Sequence, residues 1–189
     1  MAEQASFIGS VQHTPDTIQR LYKTEYYTYD TLRILSRFLF GGALIAAALI
    51  LELPRPVQIL LLLAGCWLII SKDFPAAVRA DQVLDNRKAA LPLHICSFFE
   101  DRVELSGEGS MKLAYPKFQR LIEDEQYLYL FLGRQSVCMV EKDGVEGGSP
   151  EELKAFVARL TGLSWQRNRS LLTMNLADLR QALRDRRAR

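Results

Sequence analysis

The stretch of this sequence that looks most like working chemistry is VEKDGVEGGSPEEL, Val140 to Leu153. Glycines give a backbone that can wrap an anion, and carboxylates can hold a metal or move a proton. Two details count against those uses. No Lys-Ser/Thr follows the glycines, as it would in a phosphate loop, and the early carboxylates, Glu151 and Glu152 among them, would repel an anion from the helix that starts there. The same residues read well as punctuation. Asp143-Gly144 make a turn and Gly147-Gly148 let the chain reverse. Ser149 caps a helix, Pro150 fits its first position, and Glu152 completes an S-x-x-E capping box.

The other reactive residue types are sparse. Cys66, Cys96 and Cys138 are widely spaced, odd in number and without a CxxC, so neither a metal site nor a disulfide framework is expected. They read as small apolar fillers in a reducing compartment. His13 and His94 are the only histidines, and they lie far apart in the chain. The carboxylates are scattered in turns, and no Ser/His/Asp or Cys/His order is visible. The sequence therefore assigns no catalytic, cofactor-binding or metal-ligating residue and implies no cofactor. The expectation is a protein that is not an enzyme.

Charge is distributed unevenly. Residues 93–163 carry eight Lys/Arg against twelve Asp/Glu, whereas residues 164–189 carry seven against two. An acidic globular part argues against a nucleic-acid surface, which needs clustered cations to neutralise phosphates.

The elements that must position these residues begin with FLFGGALIAAALILELPRPVQILLLLAGCWLII, Phe38 to Ile70. Its charges, Glu52 and Arg55, sit near the middle beside Pro54 and Pro56. That pattern predicts two apolar helices joined by a tight polar turn. Each uncharged run has 14 residues, about 21 Å of helix against a hydrocarbon core of about 30 Å. A buried hairpin in a soluble domain would have that length too. The flanks favour the membrane. Ile34 to Arg37 and Leu53 lengthen the first helix, Pro56 and Ser71 to Lys72 the second, and neither has a polar face. Arg20, Lys23, Arg33 and Arg37 precede the hairpin, and Lys72, Arg79, Arg87 and Lys88 follow it. The positive-inside rule then predicts a two-helix protein of the cytoplasmic (inner) membrane with both termini in the cytoplasm. No ionisable residue lies deep in either run, which suits an anchor better than a carrier. Gly42 and Ala46, or Ala43 and Ala47, could let another helix approach closely. The second helix of the same hairpin, with Gly65, is the favoured partner, ahead of a homo-oligomer through Gly42/Ala46.

Before the hairpin, Phe7, Ile8 and Val11 suggest a short strand. Thr14-Pro15-Asp16 opens a helix with Thr14 as N-cap. Tyr26, Tyr27 and Tyr29 read as an interfacial belt in preference to a base-stacking platform. After the hairpin comes a helical connector that Pro75 kinks or begins. From His94 the apolar period becomes two, giving about six short antiparallel strands. In YLYLFL both faces are apolar or aromatic, so this is a central strand. Leu153, Phe156, Val157 and Leu160 then recur at helical spacing. A curved sheet or partly open barrel closed by that helix buries its apolar face, as in the pleckstrin-homology (PH) architecture.

The order of elements, with FFEDRVEL, the Y-x-K-F-x-R-L-I-E strand at Tyr115 to Glu123, YLYLFL and EKDGVEGGSPEELKAF, resembles the YcxB-like family of bacterial membrane proteins over roughly Phe7 to Leu163. Glu141 stands where the family pattern usually has a proline. The resemblance implies a PH-like cytoplasmic domain on a two-helix anchor and brings no catalytic residues.

The expected fold class is thus an α+β membrane protein. Residues 1–33 form an N-terminal strand and helix, 34–72 the transmembrane hairpin, 73–92 the connector, 93–163 the PH-like domain and 164–189 a basic amphipathic helix. In that tail Leu172, Leu176, Leu179 and Leu183 share one side, ahead of Arg184, Arg186, Arg187 and Arg189. The four arginines either contact anionic lipid or end a helix docked on the domain. The expected function is a membrane-anchored interaction or regulatory module. Its partners are the lipid bilayer and a protein at the cytoplasmic face, without nucleic acid. A subunit of an oligomeric transport or channel assembly is the alternative, and a membrane-associated enzyme ranks below it.

Overall fold

The computed structural model describes residues 5–86, 91, 93–107, 109–134 and 136–168. The order is β1 (Phe7–Gln12), α1 (Pro15–Tyr29), α2 (Thr31–Ile50), α3 (Arg55–Ile70), a 3-10 turn (Ser71–Asp73), α4 (Phe74–Asn86), β2 (Leu93–Phe98), β3 (Arg102–Ser106), β4 (Ser110–Ala114), β5 (Arg120–Glu123), β6 (Tyr127–Phe131), β7 (Val137–Glu141), β8 (Val145–Glu146), α5 (Pro150–Thr161) and β9 (Trp165–Arg167). Two compact units result. Among the described residues, one joins 5–21 to those from 86 to 168; the other holds 22–85.

The first unit carries two sheets, ordered β4-β3-β2-β1-β8 and β7-β6-β5-β9. The β2–β3 hairpin forms around Glu100-Asp101 as the alternation predicts, with Phe98 opposite Val103. β6 is central and every one of its residues is buried. Cys96, Phe98 and Val103 of one sheet and Leu121, Leu128, Leu130 and Val140 of the other share a core with Leu153 and Val157 of α5. The sheets approach closely at Gly9, where a Cβ would run into the Val140 side chain. Tyr115 is buried in this core and donates its hydroxyl to the Phe99 carbonyl at 2.6 Å.

Three strands went beyond the sequence pattern. β1 lies between β2 and β8, inside the five-stranded sheet. β8 has two residues, too few to show a period. β9 pairs parallel with β5, Leu121 opposite Trp165, so Trp165–Arg167 is a strand and not the start of the tail helix. Its Trp165 indole donates to the Lys154 carbonyl at 2.9 Å. Cys96 on β2 and Cys138 on β7 are wholly buried, with their sulfurs against each other in the core. Strand pairing brings together residues that spacing keeps 42 apart.

In the second unit, α2 and α3 are each long and apolar enough to cross a membrane, α3 when continued through α4. In their most apolar windows 17% and 6% of the residues are buried, whereas a core helix of a soluble protein would be mostly covered. The helices meet at Gly41 and Gly65. A Cβ on either would press against the other's carbonyl oxygen, at 2.9 and 2.8 Å. Gly65 thus packs within the hairpin as expected, but against Gly41. Gly42 and Ala46 are exposed. The 3-10 turn before Pro75 takes up the break between α3 and α4.

Candidate functional site

The first unit carries a groove of roughly 690 Å³, lined by Arg20, Glu123, Asp124, Glu125, Lys142, Glu151, Lys154, Arg167 and Asn168. Several elements bring these side chains together. β5 ends at Glu123, and a tight turn returns the chain into β6. Asp124 shapes that turn: its Oδ1 accepts from the amides of Gln126 and Tyr127 at 2.9 and 2.7 Å, and its Oδ2 accepts from the Tyr129 hydroxyl at 2.7 Å. β6 and β7 are in register with Tyr127 opposite Glu141. One residue further, the Lys142 amide donates to the Gln126 carbonyl at 2.8 Å, which carries Lys142 to the same turn. β9 places Arg167 beside Glu123.

The capping box sets where α5 starts. Ser149 Oγ accepts from the Glu152 amide at 3.2 Å, and Glu152 Oε2 accepts from the Ser149 amide at 2.7 Å. Gly147, at φ 92°, makes the preceding reversal. One turn into the helix, Glu151 and Lys154 are at helical spacing and in contact at 2.9 Å.

Glu123 is the centre of the charge arrangement. Its Oε2 lies 2.8 Å from Lys154 Nζ and 3.3 Å from Lys142 Nζ. Lys142 also donates to the Asp124 carbonyl at 2.6 Å. The three side chains are 14–19% exposed, well below surface values. Burial by itself would raise the Glu123 pKa, but the hydrogen bonds and charges of Lys154 and Lys142 outweigh it and hold the carboxyl below its ordinary range. Burial likewise works to lower the Lys154 pKa, and Glu123 with Glu151 more than reverse it. Both groups therefore stay charged through neutral pH. A general acid or base works best with a pKa near the working pH, and this pair is pushed away from it on both sides. At the rim, Arg20 donates to Gln126 Oε1 at 2.8 Å and stands 6.0 Å from the Tyr127 ring centre.

The opening stretch is thus both punctuation and lining, since Lys142 and Glu151 face the groove. Sequence reasoning assigned its carboxylates to a turn and a cap and missed the triad of Glu123, Lys142 and Lys154. The available signal was the β5-β6-β7 meander, whose short turns put the end of β5 and the end of β7 at one edge. A further polar contact joins His13 Nε2 and His94 Nδ1 at 3.1 Å, because β1 and β2 are paired along their length. Among the described residues no group of three or more His, Cys, Asp or Glu is placed to hold a metal. The tail arginines Arg184, Arg186, Arg187 and Arg189 lie outside the described residues.

The family model described as YcxB-like protein matches residues 98–158. The resemblance is therefore shown for that segment. The YcxB-like segment contains Glu123, Lys142, Glu151 and Lys154, whereas Arg20, Arg167 and Asn168 come from outside it. No curated protein and no solved structure matches the chain.

Proposed function

We propose that this chain is a bacterial inner-membrane protein anchored by the α2–α3 hairpin, with its YcxB-like segment forming a PH-like cytoplasmic module that binds a protein partner without catalysing a reaction. The observation that carries the binding reading is the groove around Glu123. It is concave and charged, and its central Glu123 and Lys154 stay charged across neutral pH. Such a surface suits recognition of a polar chain segment, because fixed donors and acceptors confer orientation and specificity. The closing of the core by α5, with Leu153 and Val157 inside it, supports the PH-like reading. The low burial of α2 and α3 supports the membrane anchor, because so much exposed apolar surface is unusual for a protein in water.

The test is a photocrosslinking amino acid placed at Glu125 or Arg167, on the groove rim, and at Ser97 on β2 as a control. In native membranes the rim positions are expected to give a discrete protein adduct that Ser97 does not. Equal labelling at all three positions, or none at the rim, would remove the groove as the binding surface.

A further inference from the structure

The cations around the start of α2 and the end of α3 form a second charged surface. Arg37 donates from Nη1 to the Ser71 carbonyl at 3.0 Å, tying the start of α2 to the end of α3. A guanidinium has five N–H donors, so this bond leaves most of its donor capacity for other acceptors. Arg33 is exposed one turn earlier, and Lys72 is half-exposed beside Ser71. Lys23 and Asp73 pair at 3.2 Å, and Asp73 Oδ1 accepts from the Tyr27 hydroxyl at 2.6 Å. One carboxylate oxygen is taken by tyrosine and the other by Lys23. Asp73 also attracts Lys72 at longer range. Arg33, Arg37, Asp30 and Asp73 all act on Tyr26, which places them in one neighbourhood. Four cations there face two carboxylates, so the surface is electropositive.

Apolar surface adjoins it. Trp67, Ile70 and Phe74 are 67%, 76% and 62% exposed on either side of Lys72. Cations next to exposed aromatic and aliphatic side chains match a ligand with an anionic head and an apolar body. A soluble anion would use the first part of this surface and leave the second idle.

We infer that Arg33, Arg37 and Lys72, at the end of the hairpin where α2 begins and α3 ends, form a binding surface for the phosphate of an anionic phospholipid whose chains lie along Trp67 and Ile70. The inference rests on the membrane reading above. It adds headgroup selectivity, which an apolar anchor alone does not give.

The test uses the full chain purified in a mild detergent, with thermal unfolding followed after addition of phosphatidylglycerol, phosphatidylcholine or inorganic phosphate. Phosphatidylglycerol is expected to raise the midpoint by several degrees more than phosphatidylcholine, with no shift from inorganic phosphate. R33Q/K72Q should lose the difference between the two lipids, and R33K/K72R should keep it. Equal shifts from both lipids overturn the proposal, as does a difference retained by R33Q/K72Q. A full shift from inorganic phosphate assigns the surface to a small anion and overturns the lipid reading. Carbonate extraction of native membranes separates this from failure of the anchor. Wild type and R33Q/K72Q should both stay in the pellet, and release of the wild type would count against the anchor itself.

Discussion

Glu123 holds two lysines, so its removal should be felt in two ways. Glu123→Gln leaves Lys142 and Lys154 partly buried without their shared anion. The cost should be about 2 kcal/mol, between the small values of surface pairs and the larger cost of breaking a buried one. The pH dependence has a definite sign. The folded pKa of Glu123 lies below its ordinary value of 4.5, so its contribution is fully present above that value. It is lost as pH falls through the folded pKa, because the unfolded chain binds the proton first. Melting temperatures from pH 7 to 3.5 should therefore drop more steeply for the wild type than for Glu123→Gln; parallel curves would show that the carboxylate is not coupled to folding. Ser149 makes a more local contribution. Ser149→Ala removes one half of the capping box and should cost about 1 kcal/mol, read as a lower midpoint in denaturant, with rim crosslinking at Glu125 unchanged. The cap was legible in the sequence because S-x-x-E is a local pattern. The Glu123 cluster was not, because strand pairing brings together residues from β5, the end of β7 and α5.

Elements show the same division between local and non-local signals. α1, α2, α3 and α5 could be read from caps, prolines and apolar runs. So could the β2–β3 hairpin and the central place of β6. β1 as an interior strand could not, since its neighbours β2 and β8 lie more than eighty residues downstream and its alternation is brief. Gly9 marks its position in the fold, and Gly9→Ala should cost about 1–3 kcal/mol by overpacking against Val140. In the hairpin, small residues one turn apart pointed to a close helix contact, but the pattern left open which ones face the partner. Gly41 and Gly65 supply the contact, whereas a Cβ on Gly42 would meet no described atom within 4 Å. Gly65→Val should therefore separate α2 from α3 and reduce disulfide crosslinking between cysteines introduced at their facing positions. Gly42→Val should leave that crosslinking intact. If Gly42→Val instead abolishes crosslinking between two copies of the chain, the exposed Gly42/Ala46 side is a contact between hairpins.

For the whole molecule, hairpin length and charge placement lead to a topology. α2 has 20 residues, about 30 Å of helix, which matches the hydrocarbon thickness. α3 has 16, about 24 Å, and the three residues of the following 3-10 turn add about 6 Å. Both can reach across with Glu52 in the connecting turn, Arg55 at the start of α3, and Arg33, Arg37 and Lys72 at the opposite end. By the positive-inside rule the single cation near the turn and the several at the other end support the proposed topology, with the turn outside the cytoplasm. The prediction uses a membrane-impermeant maleimide on a Cys66→Ala background, in which Cys96 and Cys138 are buried. Glu52→Cys should label in intact cells, whereas Gln19→Cys, exposed on α1, should label after permeabilisation alone. The reverse pattern would invert the protein and move the Glu123 groove to the other side of the membrane. Labelling of both positions in intact cells would mean that the hairpin does not span, and the low burial of α2 and α3 would then need a protein partner in place of lipid.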